Sequence, residues 1–324
     1  MKKEDSGVFL FPQIRSENAN VIYETGLRNH GIVLAIKGKE KIVFADDLSL
    51  SSIEDFLKDT KKSIKIEKIE NLEKFLKGEK VYLDFHNSSV AFYMKIKKVA
   101  KEIEDCSNLW LEKRARKKKE EVKRMKKASD IAKAFVDYFN ENLEKSVTEE
   151  KLRMLIIEYF SKNNAYESFP SIVASGKHSA FPHHMPKNKK IESPLLIDRG
   201  CIYENYCSDI TDVIEIKDKK MKEEYETLEN IFYILVDNLP SLETAKELHA
   251  FYIKTFRKYD LKEMPHLIGH GIGLSVHEWP IINERSNHLL SECVITLEPS
   301  IYKKDYGLRF ERMVYISKRK AYVL

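Results

Sequence analysis

The stretch from Met264 to Pro280, Met-Pro-His-Leu-Ile-Gly-His-Gly-Ile-Gly-Leu-Ser-Val-His-Glu-Trp-Pro, constrains this chain more than any other. His266, His270 and His277 crowd into it, and Gly269, Gly271 and Gly273 surround the middle one. Glycine lets a backbone turn through positive φ or approach a bound group closely. A lone histidine is usually a satisfied structural residue, so the stretch means little without partners. Asp198, Asp209, Glu298 and Glu311 supply them, each in an apolar, strand-like run. An acid in such a run is expensive to bury unless it is paired or holds a cation. One imidazole with four carboxylates is a mostly oxygen donor set. It suits hard or borderline divalent ions such as Mn, Co or Fe, and is not a thiolate zinc site.

Composition sets the frame. A chain of 324 residues is long enough for two domains, and 43% hydrophobic residues can build real cores. Charges of both signs are mixed and the net is only +5, which argues against nucleic acid as a main partner. Cys106, Cys201, Cys207 and Cys293 form no CxxC pair and no disulfide spacing, so they read as reduced thiols of a cytoplasmic protein. The apolar stretch after Met1-Lys2-Lys3 is too short for a secretory core. No apolar run reaches the ~18 residues needed to span a bilayer. A cytoplasmic protein without a membrane partner is expected.

Residues 1–112 read as a small α/β domain. Gly31–Ile36, Lys41–Ala45 and Val81–Phe85 are short apolar runs bounded by turns or charges, hence strands. Ser51–Leu57 and Leu72–Leu76 carry helical spacing, with Ser51 as a cap. This half holds no catalytic constellation and reads as a packing and substrate-shaping domain. Lys113–Lys127 is the most basic run, but it leads into Val122, Met125, Ala128, Ile131, Ala132 and Phe135 at helical spacing. A helix with its lysines in water, opening a second domain over 113–324, explains that better than a nucleic-acid patch.

In this second domain a helix is expected over Thr148–Lys162, capped by Thr148 or Ser146, with Ser146 and Glu149 at capping-box spacing. A strand at Ser171–Gly176 precedes a polar loop in which prolines hold the pair His183-His184, placing both on a substrate side. Strands follow at Leu195–Asp198 and, as one long run, Ile202–Ile216; helices at Lys219–Asn238 and Leu242–Tyr259; then strands at Val294–Tyr302 and Leu308–Ser317. Alternate residues of a strand share a face. Cys207, Asp209 and Thr211 therefore share one, as do Arg309, Glu311 and Met313. Strand pairing can bring the acids together, and two close ions there would activate water and polarise a carbonyl.

Asp198 in Leu-Leu-Ile-Asp-Arg-Gly, Asp209 in Tyr-Cys-Ser-Asp-Ile-Thr, His270 in Gly-His-Gly-Ile-Gly-Leu, Glu298 in Thr-Leu-Glu-Pro and Glu311 in Leu-Arg-Phe-Glu resemble the pita-bread metallopeptidases. That family includes the Xaa-Pro aminopeptidases, the prolidases and the methionine aminopeptidases. The resemblance covers residues from about 113 onward, and five ordered ligands make it specific. The N-terminal part looks like a shortened version of the creatinase-type domain of the Xaa-Pro-cleaving members, Val21–Gly26 being its best segment.

The resemblance implies an α+β protein whose C-terminal domain has the pita-bread fold. It implies two divalent ions, Mn or Co first and Zn or Fe next. Asp198, Asp209 and Glu311 would hold one, and Asp209, His270, Glu298 and Glu311 the other. Glu298 would also shuttle protons, His183 and His277 would contact substrate and developing oxyanion, and His266 matches a further active-site histidine of the Xaa-Pro-cleaving members. Arg309 would steady the carboxylates. The implied substrates are small peptides with proline in second position, and a homodimer is expected. A methionine aminopeptidase-like activity is the alternative, and a non-catalytic binding module on the same fold is the alternative of another class.

Departures from the family pattern carry information. Glu298-Pro299-Ser300 stands where the family has Glu-Pro-Gly. Ile281 stands where archaeal-type prolidases carry an arginine for the dipeptide's carboxylate, which argues against strict dipeptide specificity. Asp212 replaces an arginine and Arg312 an acid, so two signs are exchanged together. Strand parity puts both on the face opposite Asp209 and Glu311, which predicts a salt bridge of inverted polarity beneath the site.

Overall fold

Val8–Gln13 is buried along its whole length. Phe9 and Phe11 enter one core and Val8 and Leu10 another, the alternation of a strand covered on both faces. The structure, a computed structural model, describes residues 7–141 and 147–324. It divides into two units, Met1–Lys113 and Arg114–Leu324. In the first, Val8–Gln13 lies inside a six-stranded mixed sheet, ordered Lys65–Lys68, Glu40–Ala45, Ile32–Lys37, Val8–Gln13, Lys80–Leu83, Glu102–Asp105. The strands expected near 31–36, 41–45 and 81–85 are among these. Val8–Gln13 was not expected, because a strand buried on both faces lacks polar alternation. The helix Leu50–Thr60 starts after Ser49 rather than Ser51.

Among the described residues the second unit combines four antiparallel sheets with four long helices, and two of those sheets frame the acids. One sheet is ordered Ile210–Ile214, Leu195–Arg199, Ile172–Ser175. The helices Lys119–Glu141 and Glu149–Lys162 cover it, with Phe135, Phe139, Ile156 and Phe160 against Val173, Leu195 and Ile197. The other is ordered Glu278–Ile281, His270–Gly271, Val294–Leu297, Arg312–Ile316, Ala321–Val323. Lys219–Asn238 and Ala245–Lys258 pack on it through Phe232, Leu235, Leu248 and Phe256. A bridge between Thr211 and Glu311 joins the two sheets, Glu311 N–H donating to the Thr211 carbonyl at 3.2 Å. Among the described residues no helix is long and apolar enough to cross a membrane.

Three expected strands are broken, each at or next to an acid. The run over 202–216 is Cys201–Tyr203, Tyr206–Cys207 and Ile210–Ile214, so Asp209 sits in a gap rather than in a strand. Val294–Tyr302 splits into Val294–Leu297 and Ser300–Tyr302 around Glu298-Pro299. Leu308–Ser317 splits into Gly307–Arg309 and Arg312–Ile316 around Glu311. A break frees local backbone from the ladder and lets a side chain be re-aimed.

The basic run also differs from expectation. Its helix begins at Lys119, and Arg114 and Lys117 are buried instead of solvated. Both meet Glu278, Arg114 Nε donating at 3.1 Å and Lys117 Nζ lying 3.6 Å away. A buried cation needs a buried anion, and Glu278 also accepts from the Ser275 N–H at 3.2 Å, pinning the turn before His277. Thr148 caps the helix Glu149–Lys162. Ser146, the other half of the expected capping box, lies outside the described residues, and the Glu149 carboxylate turns elsewhere.

Candidate active site

Asp209, His270 and Glu311 converge, each offering a ligand atom within 4.8 Å of the others. His270 is aimed by its ends: its backbone N–H donates to Thr296 Oγ1 at 3.1 Å, and ring Nδ1 stands 3.0 Å from the Gly271 carbonyl. Nε2 is thereby left facing Asp209 Oδ2 at 3.5 Å. The flanking glycines serve close approach rather than positive φ. A Cβ on Gly269 would stand 2.0 Å from the Thr296 carbonyl oxygen, and one on Gly271 2.2 Å from the Trp279 backbone.

Asp198 lies in the strand Leu195–Arg199, one place before its end, with one oxygen bonded to Arg309 Nη2 at 2.5 Å. Its other oxygen, Oδ1, is buried with no hydrogen-bond partner. An orphaned buried carboxylate oxygen is costly unless a cation takes it. Glu298 follows the strand Val294–Leu297, its N–H bonded to the Ile268 carbonyl at 2.8 Å. Burial, then the crowding of Glu311, Asp198 and Glu298, pushes the Asp209 carboxyl well above the ordinary range. Burial and Glu311 do the same to Glu298, and burial with Asp198 brings Glu311 up to about 7. Burial, then His277, takes His270 down to about 4, so the imidazole is neutral and its Nε2 lone pair available. Mutually repelling acids, a neutral imidazole and an orphaned oxygen fit a divalent cation centre.

A second layer of bonds holds these groups. Arg309 Nε donates to Thr211 Oγ1 at 3.0 Å, and Thr211 Oγ1 donates to Glu311 Oε2 at 2.7 Å. Arg309 Nη1 donates to Tyr302 Oη at 3.1 Å, and the same hydroxyl lies 3.1 Å from His266 Nε2. One guanidinium thus ties Asp198, Glu311 and His266 together. Strand parity groups Thr211 with Asp209 in the sequence, so its position was legible and its relay role was not. Tyr302 gave no sequence signal.

The three other histidines surround the cluster. The exposed His277 ring lies 4.2 Å from the His270 ring. His266 Nδ1 stands 3.6 Å from Glu298 Oε2, and burial takes His266 down to about 4. His183 is exposed, within electrostatic reach of His266 and His277. The pair His183-His184 does not act as one: His184 turns inward and is buried against Glu149.

Comparison with known proteins places this arrangement. The profile of metallopeptidase family M24 matches residues 123–318. The chain is 31% identical over 318 residues to the Xaa-Pro dipeptidase of Pyrococcus horikoshii, covering 94% of this chain and 89% of that protein. The crystal structure of the prolidase from Pyrococcus horikoshii OT3 superposes with a TM-score of 0.88 at 28% identity, covering 100% of this chain and 94% of the other. The X-Pro aminopeptidase of Thermotoga maritima gives 0.84 at 25% identity, covering 98% and 94%. A fold mixing helices and sheets, a cluster of buried acids around a neutral histidine, and these likenesses lead to one conclusion: the chain belongs to the pita-bread metallopeptidases of family M24 and is a metallo-exopeptidase.

Proposed function

We propose that the chain hydrolyses the peptide bond between an N-terminal residue and a following proline, with two divalent ions at the Asp209–His270–Glu311 cluster. The observation that carries this is the convergence of those three ligand atoms beside the orphaned Asp198 Oδ1. In this reading Asp198, Asp209 and Glu311 hold one ion, and Asp209, His270, Glu298 and Glu311 the other. Mn or Co suits the mostly oxygen set best, Zn or Fe next. Bound ions supply Lewis acidity, making water a nucleophile near neutral pH and polarising the scissile carbonyl.

The chain's own groups do the rest. Glu298, at the edge of the cluster, takes the proton of the attacking water and passes it to the leaving nitrogen. His183 and His277 donate to the carbonyl oxygen as negative charge develops on it. His266, positioned by Tyr302, orients the substrate beside Glu298. The first unit is the shortened creatinase-type domain, a reading supported by the coverage of the Pyrococcus horikoshii prolidase along the whole chain. The protein works in the cytoplasm as a homodimer.

Peptides longer than two residues are the preferred substrates. Ile281, opposite His270 in the sheet, cannot pair with a dipeptide's free carboxylate. Tyr302 also lines a cleft of about 630 Å³ with Met264, Ser300 and Lys303, which gives a longer chain room. Assaying an Xaa-Pro dipeptide, an Xaa-Pro tripeptide and Met-Ala-Ser with Mn²⁺ or Co²⁺ tests this. Fastest turnover of Met-Ala-Ser overturns the proline reading.

A further inference from the structure

Glu149 opens the helix Glu149–Lys162 with its side chain completely buried. Its carboxylate gathers the segment 175–187 from both ends. Oε1 accepts from the Ser175 N–H and hydroxyl, each at 2.9 Å, and Oε2 from the Lys187 N–H at 3.1 Å. Two imidazoles from the same segment converge on it. His178 Nδ1 stands 2.9 Å from Oε1 and 3.1 Å from Oε2, and His184 Nε2 stands 2.9 Å from Oε2. The rings are stacked, centroids 4.2 Å apart at 27°. Both aim one nitrogen at the same point.

Two imidazole nitrogens and one carboxylate oxygen here lie within 4.8 Å of one another. A tetrahedral ion with bonds of ~2.0 Å sets its ligands ~3.3 Å apart, so the two nitrogen–carboxylate contacts need open by only about half an ångström to admit one. His184 is buried and His178 is one-fifth exposed, which provides a way in from solvent. The Ser175 and Lys187 donors remain on the carboxylate and orient it. The donor set differs from the carboxylate cluster: two nitrogens to one oxygen favours Zn²⁺ over Mn²⁺.

We propose that Glu149, His178 and His184 form a mononuclear site for a borderline divalent ion, Zn²⁺ above all, apart from the carboxylate cluster. The ion cross-links the helix start to the loop that presents His183, next in sequence to His184. Ser179 of that loop accepts the Gly307 N–H through its hydroxyl at 2.9 Å, at the start of the strand that carries Arg309. Occupancy therefore stiffens the setting of both His183 and Arg309. The assignment does not rest on the peptidase reading, because ions are counted rather than turnover.

The test is metal analysis of full-length protein dialysed against Zn²⁺, in two backgrounds. In the chain carrying Asp209→Asn with Glu311→Gln, about one tightly held Zn²⁺ is expected, and adding His178→Ala should remove it. In the otherwise unchanged chain His178→Ala should lower the count by about one, so the test survives if the double variant misfolds. His178 is partly exposed, so its truncation spares the fold, and circular dichroism checks that. With Co²⁺ in place of Zn²⁺, the visible band of a four-coordinate ion should vanish with His178. A count unchanged by His178→Ala in folded protein overturns the site.

Discussion

Arg312 Nη2 stands 2.5 Å from Asp212 Oδ1, and the other oxygen of that carboxylate takes Arg199 Nη2 at 2.7 Å. The inverted salt bridge expected from the exchanged charges is present, with a partner the sequence did not suggest. Arg199 is fully buried, and Arg312 also donates to the Thr211 and Glu311 carbonyls at 2.9 and 2.7 Å. The pair therefore braces the bridge between the sheets. It also changes what a charge swap does. Asp212→Arg with Arg312→Asp would set a guanidinium beside Arg199 and move the carboxylate away from it, so the double swap should recover only part of what Asp212→Arg, with three guanidiniums together, loses. Urea unfolding of the three variants decides; recovery to near wild type would contradict the three-membered network.

The same carboxylate sets a pH dependence. Burial alone would raise Asp212, but Arg199 and Arg312 outweigh it and hold the carboxyl below the usual range. A lowered folded-state value stabilises above the unfolded one, about 4, and that stability is lost as pH falls through the folded value. Asp212→Asn should cost about 3 kcal/mol near neutral pH, because two guanidiniums are stranded. The gap to wild type should narrow as pH drops below about 4. A gap independent of pH would contradict this.

Thr211→Val keeps the shape and removes the hydroxyl that links Arg309 to Glu311. Such outer-layer losses typically cost 10–100-fold in activity or metal affinity, and about that drop in kcat/KM is expected. Unchanged kcat/KM with full metal loading would show that the relay is idle.

Asp209→Ala or Glu311→Ala should abolish hydrolysis and empty the carboxylate cluster, since in the proposed two-ion site each would be a ligand shared by both ions. Any Zn²⁺ held by Glu149 should stay. Wild-type turnover by either variant, fully loaded, would remove the dinuclear reading.

For substrates, kcat/KM for an Xaa-Pro tripeptide should equal or exceed that for the matching dipeptide, because Ile281 offers no cation for a nearby carboxylate. A strong dipeptide preference would contradict this.

The parts legible in the sequence were those with a local signature. The five candidate ligands stood out as acids in apolar runs and as a histidine among glycines. The helices Lys219–Asn238 and Glu149–Lys162 follow their apolar spacing. Strand breaks were not legible, because the apolar runs continue through Asp209, Glu298 and Glu311 while the ladders stop. Long-range pairing was hidden as well. Nothing near Lys117 announces that Glu278, far along the chain, becomes its buried partner. Glu149 read as half of a capping box, because its partners His178 and His184 are brought to it only by the fold.

The most direct test is the initial rate at which metal-stripped protein releases the first residue of an Xaa-Pro tripeptide, before and after adding Mn²⁺ or Co²⁺. The same tripeptide with alanine in place of proline serves as control. The account predicts no release before the ion, release after it, and a clear preference for the proline peptide. No metal-dependent release, or equal rates on the two peptides, would contradict it.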